Sequence, residues 1–168
     1  MKRRSVLRFA LTAAATGSAG CTQSFFRSEQ YRLWFVRIHN GTASEQQVNI
    51  RVLRNGEVVF EREYENIPSF RESKNEKATF AAMGSARLIE DEWGIQKSTY
   101  TIEYRLSEQE SFEEVNVGEV GEFEGEDIGV TMQLYGGEQA VVAFDIHQFD
   151  SEEQATGFVN TVTNQSVE

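Results

Sequence analysis

Two histidines, a single cysteine and an acidic, glycine-spaced loop are the side chains of this 168-residue chain best suited to chemistry. His39 and His147 cannot form a three-histidine zinc site, and a mixed site would need carboxylates held beside them. Each falls at the end of an apolar run and is followed by polar residues, which reads as a surface or capping position. The loop over 118–129, GEVGEFEGEDIG, supplies Glu122, Glu124, Glu126 and Asp127 as candidate metal ligands, with glycines that let the backbone turn. A hard cation such as Ca²⁺ takes six to eight oxygens. The spacing does not follow the EF-hand pattern of alternating Asp/Asn with a terminal Glu, so a solvated acidic surface stands as the other reading of the loop. Glu90-Asp91-Glu92 before Trp93 places carboxylates beside an aromatic ring that suits a sugar. Glycoside hydrolysis needs two carboxyls about 5–9.5 Å apart on facing walls, whereas neighbours on a strand point to opposite faces. No Gly-x-Ser-x-Gly elbow and no phosphate-cradling glycine loop is present. No catalytic residue is therefore assigned.

Residues 1–8, MKRRSVLR, carry four positive charges and no negative one. Residues 9–20 are apolar to small, and Cys21 follows. A basic segment, a short apolar segment and small residues before a cleavage point describe an export signal. Twelve helical residues span about 18 Å, short of the ~30 Å hydrocarbon core, so the segment does not read as a membrane span. Arg3-Arg4 followed by Ser5, Val6 and Leu7 resembles the twin-arginine signal, which implies export of a folded protein. Ser18-Ala19-Gly20-Cys21 resembles a lipobox, with Ser18 where Leu is usual. That resemblance implies lipidation of Cys21 and a partner in the membrane itself.

The chain holds 16 Lys+Arg against 27 Asp+Glu, a formal net charge of −11. Loss of residues 1–20 deepens this to −15, since Lys2, Arg3, Arg4 and Arg8 leave with no acid. Nucleic acid is excluded as a partner, because phosphate binding needs a basic stripe. A lone cysteine excludes an internal disulfide framework and a cysteine metal cluster. Only Lys74, Lys77 and Lys97 remain as lysines beyond the signal. An acidic, lysine-poor surface suits concentrated salt, where self-repulsion is screened within a few ångströms. Together with the signal, the chain resembles the small exported lipoproteins of halophilic archaea.

Beyond a polar tether at 21–30, period-2 alternation dominates. Residues 31–39 set Trp34, Val36 and Ile38 against Tyr31, Leu33 and Phe35, so both faces are apolar, as in a central strand. Strands follow over 48–53 and 58–64, joined by Asn55-Gly56, the strongest short hairpin signal because a type I′ turn needs positive φ at both central residues. Shorter strands are expected at 78–82 and 87–89. Tyr100, Ile102, Tyr104 and Leu106 alternate inward over 99–106, and a strand at 112–117 follows. A last hairpin joins 128–134 to 140–146, and 148–168 reads as a loose polar tail. Asn40-Gly41-Thr42 and Asn164-Gln165-Ser166 are glycosylation sequons, Asn40 at an accessible strand-ending turn.

Eight or nine short strands with turns between them predict an all-β fold, an antiparallel β-sandwich over 31–147. The Asn-Gly hairpin followed by an aromatic-alternating strand resembles small immunoglobulin-like domains over about residues 31–118, with Trp34 or Trp93 as the central tryptophan. The function expected is a non-enzymatic, lipid-anchored structural or binding module on the extracytoplasmic face of the membrane, with other cell-surface proteins as candidate partners. The alternative is a lipoprotein that binds a small ligand or cation through 118–129; a small hydrolase is third. No cofactor is called for beyond a calcium ion at that loop.

Overall fold

In the computed structural model, residues 30–69, 86–90, 92–136 and 140–165 are described. The expected strand at 78–82, the signal and most of the tether lie outside them. Among the described residues nine strands form two sheets. The first sheet runs β4 (Ala86–Glu90), β1 (Tyr31–Asn40), β8 (Asp127–Gly136), β9 (Ala140–Phe149), and the two-residue β5 (Lys97–Ser98) also pairs with β1. The second runs β3 (Glu57–Ile67), β2 (Gln46–Arg54), β6 (Tyr100–Leu106), β7 (Glu113–Asn116). A short 3₁₀ turn follows β7, and a helix, α1 (Glu152–Gln165), closes the described chain.

The two sheets make the expected all-β sandwich, with no barrel closure among the described residues. An immunoglobulin-like sandwich sets its second and fifth strands side by side in one sheet and its third, sixth and seventh in the other. With β1 as the second strand, β4 is the fifth, and β2, β6 and β7 are the third, sixth and seventh. β3 is the added edge. The last hairpin departs from the antiparallel expectation: β8 pairs with β1 in parallel, on the side where the first strand of such a fold would lie.

The β2–β3 hairpin turns where the sequence predicts, with Asn55 at φ 52° and Gly56 at φ 82°. Inward positions of β6 alternate as expected, and Val48, Ile50 and Val52 of β2 are fully buried against them. In β1 simple alternation fails. Leu33 pairs with Ile128 and Phe35 with Gly129, which leaves Trp34 as an inserted residue in a β-bulge. One extra residue switches the side-chain parity. Tyr31 and Leu33 before the bulge, and Val36 and Ile38 after it, therefore all enter the core between the sheets. Trp34 and Phe35 turn to the outer face, where they meet Phe149 and Ala155 and, partly buried, Phe158 and Val159. Trp93, not Trp34, is the core tryptophan; its ring edge packs on Phe60 and its Nε1–H donates to the Leu33 carbonyl.

The loose-tail expectation for 148–168 is also corrected. Gln148 and Phe149 complete β9, and α1 covers the outer apolar patch. Ser151 starts the helix: its Oγ accepts from the Gln154 N–H, while the Gln154 side chain accepts from the Asp150 N–H. Phe158 stacks on Phe35 with centroids 5.4 Å apart, an apolar contact that holds a helix of modest amphipathicity.

Gly129 is what lets Phe35 lie flat on β8. A Cβ built there would stand 2.1 Å from Phe35 Cε1, inside the ring. Gly129→Ala is expected to destabilise the protein by about 2–3 kcal/mol in urea or thermal unfolding, within the range for overpacked cores; an unchanged midpoint would refute this packing.

Candidate functional site

The parallel start of β1 and β8 places Arg32 directly beside Asp127. Arg32 donates to Asp127 from Nε and Nη2, both at 2.7 Å, and Trp34 Nε1–H donates to the same carboxylate at 2.7 Å. The Asp127 side chain is 6% exposed and that of Arg32 is 32% exposed. Burial works against the Asp127 charge. The Arg32 and Trp34 hydrogen bonds and the guanidinium charge outweigh it and hold the carboxyl below its ordinary value. A carboxylate so held stays ionised at neutral pH and cannot serve as a general acid.

Around this group opens a cleft of about 600 Å³, lined by Glu124, Glu126, Asp127, Asp150 and Glu152, with Arg32 as its one cationic side chain. The four candidate ligands of 118–129 do not converge. Asp127 is taken by Arg32 and Trp34, and Glu126 by Lys97 at 2.6 Å. The Glu124 N–H donates to the Gln148 side chain, whose amide donates to the Glu122 carbonyl, so this stretch meets β9 through its backbone. Among the described residues no three His, Cys, Asp or Glu side chains are grouped to hold a metal ion. The reason is local: each acid that leaves the loop in a usable direction already has a cation or faces solvent.

The sugar-site arrangement at 90–93 also comes apart. Glu90 accepts from Thr163 of α1, Glu92 pairs with Arg62 of β3, Trp93 is buried, and Asp91 lies outside the described residues. Both histidines lie near the ends of their strands, as expected, but they are half-buried and not surface groups. His147 packs beside Phe35 and Phe158 with Nε2 2.8 Å from the Thr131 hydroxyl. His39 is half-buried on β1. Burial, and then the charge of Arg37, push both rings below the ordinary histidine value, toward the neutral form.

Asn40 is fully buried rather than accessible. The bulge gives it an inward position at the end of β1, paired with Leu134. Its amide nitrogen donates to the carbonyls of Ser44 and Ile67, and its oxygen accepts from the Thr42 N–H and hydroxyl. Asn40-Gly41-Thr42 is thus an internal turn brace, and the sequon has no free amide in the folded protein. Asn164 lies in the last turn of α1, with its side chain outside the described residues. Cys21, Arg3 and Arg4 lie outside them as well.

The Arg32–Trp34–Asp127 group escaped sequence reasoning because its parts lie 93 to 95 positions apart. A carboxylate opening the otherwise uncharged strand DIGVTMQL was the available signal. Asp127→Asn removes the charge that neutralises Arg32, and is expected to cost about 2 kcal/mol at pH 7, below the 3–5 for a fully buried pair because Arg32 is partly solvated. A depressed folded pKa stabilises above the unfolded value, near 3.8, and that stabilisation is lost as pH falls through the folded value. The stability gap between wild type and variant should therefore be constant from pH 7 to 5 and shrink below about pH 4. A gap independent of pH down to pH 2 would refute the ion pair.

No protein-family model and no curated protein matches the chain. Among solved structures, an NMR structure of a protein from Eubacterium rectale is similar over 74% of this chain and 94% of its own, with 15% identity and a TM-score of 0.35.

Proposed function

We propose that the chain is an exported, lipid-anchored binding module that acts without catalysis on the extracytoplasmic side of the membrane. The observation supporting this reading is the polarity of the sandwich. Tyr31, where the tether would join β1, lies at the end that carries the 118–129 loop and the acidic cleft. The opposite end carries the 41–45 loop, the 107–112 turn and the β8–β9 tip. There Ser44, Gln46, Ser107, Gln109 and Ala140 line a second cleft of about 400 Å³. A tether of nine residues reaches at most about 30 Å, so a lipid on Cys21 keeps the first end near the bilayer and leaves the second end to partners. Loops on a rigid sandwich are the usual place for recognition.

The anchor is tested in a host with a twin-arginine route by lipid-precursor labelling and membrane fractionation. Wild type is expected to take the label and sediment with membranes, whereas Cys21→Ser is released unlabelled. Equal labelling and retention of both would overturn the reading. The acidic surface is tested separately by melting in KCl. Screening shortens from about 10 Å at 0.1 M to 3 Å at 1 M, so the melting temperature should climb through this range. A flat response would contradict a surface suited to high salt.

A further inference from the structure

A cation without a partner lies on the outer face of the β4–β1–β8–β9 sheet. Eight cationic side chains fall among the described residues, and seven of them have partners. Arg32, Arg51, Arg62 and Lys97 pair with carboxylates. Arg54 and Arg87 donate to backbone carbonyls, and Arg105 lies over the Phe112 ring. Arg37 has neither ion pair nor hydrogen bond among the described residues, and its Nε is shut off from solvent without an acceptor. Arg54, Arg87 and Arg105 also lack a carboxylate, but each has a carbonyl or a ring in its place; Arg37 alone among the described cations keeps a buried donor without any partner.

Arg37 is not isolated from other polar groups. It pairs across the sheet with Thr131, and Thr131 with Asp145, in one outward row. The next row sets His39 beside Gln133. His39 Nε2 is likewise buried without a partner. The one carboxylate of the set, Asp145, is engaged by the Gln133 amide, and His147 holds the Thr131 hydroxyl. Burial lowers the Arg37 pKa without any acid to restore it, yet a guanidinium stays protonated. The sheet therefore holds a permanent positive charge, partly shielded from water, next to an imidazole nitrogen and an amide. Leaving the Arg37 Nε–H and the His39 Nε2 unpaired is costly, and a planar guanidinium fits the two oxygens of a carboxylate or phosphate.

We infer that the outer face of this sheet is a binding site for an oxyanion, with Arg37 as its charged anchor and His39 and Gln133 as its polar flank. The inference is independent of whether the chain is membrane-anchored. It deepens the binding role by naming a ligand class and a place away from both clefts.

The test is thermal melting of the full-length protein in sodium succinate and in sodium phosphate, with KCl holding ionic strength constant. At ligand ten times above Kd, the wild-type melting temperature should rise by about 4 °C. A rise with succinate alone identifies a carboxylate ligand, and one with phosphate alone a phosphate ligand. Arg37→Met should melt no lower than wild type without ligand, since it removes an unpaired charge, and should not respond to either anion. Arg37→Lys keeps the charge without the two-pronged donor, and should fold and bind about tenfold more weakly. No rise with either anion, an equal rise in the Met variant, or a Met variant that melts lower without ligand would overturn the assignment.

Discussion

β1 is apolar on both faces, and the rest of the molecule is arranged to keep water from each. One face gives Tyr31, Leu33, Val36 and Ile38 to the core between the sheets; the other gives Trp34 and Phe35 to a smaller cluster under α1. The bulge at Trp34 makes this division possible, because a regular strand would alternate the set evenly and bury neither group fully. At roughly 1.5–3 kcal/mol for each large side chain taken from water, neither face can be left uncovered in a fold whose net stability is of order 10 kcal/mol. The second sheet covers one face. The other requires a helix, and a bare glycine in β8 to seat the Phe35 ring.

The same strand organises the charges. Its parallel neighbour β8 brings Asp127 to Arg32 at the point where both strands begin, and the displaced Trp34 supplies a third donor. The buried carboxylate is thereby satisfied at the opening of both strands, and the acidic loop before it is tied back to the sandwich. Further along, β1 turns Arg37 and His39 outward onto a face whose described carboxylates, Glu90 and Asp145, are held by Thr163 and Gln133. One strand thus carries a cation used to fix register and another left for a ligand. The buried Arg37 Nε without an acceptor makes the second placement informative.

Much of the sandwich could be read from sequence alone, because its signals are local. Asn55-Gly56 requires positive φ twice, and the aromatic alternation of 100–106 has period 2 in any context. What failed was decided by distant partners. The bulge at Trp34 is set by how β8 seats Phe35, so no pattern within 31–39 reveals it. Asn40 looked exposed because a sequon at a turn usually is, yet the parity switch carried it inside, where four hydrogen bonds use its amide. The helix was different. Ser151-Glu152-Glu153-Gln154 is a readable start signal, outweighed by the polar composition around Phe158 and Val162. The acidic loop was readable as a charge and not as a site, since the pairing of Glu126 and Asp127 depends on residues 29 and 95 positions away.

The fold turns on one register: Phe35 opposite Gly129 in a parallel β1–β8 ladder, with the ring against the glycine and Phe158 of α1 stacked on it. Proton NMR reads this directly. Strong NOEs are expected from the Phe35 ring to the Gly129 Hα protons and to the Phe158 ring, with one Gly129 Hα shifted well upfield by the aromatic current. Gly129 Hα protons at ordinary strand positions, with no NOE to Phe35, would contradict it.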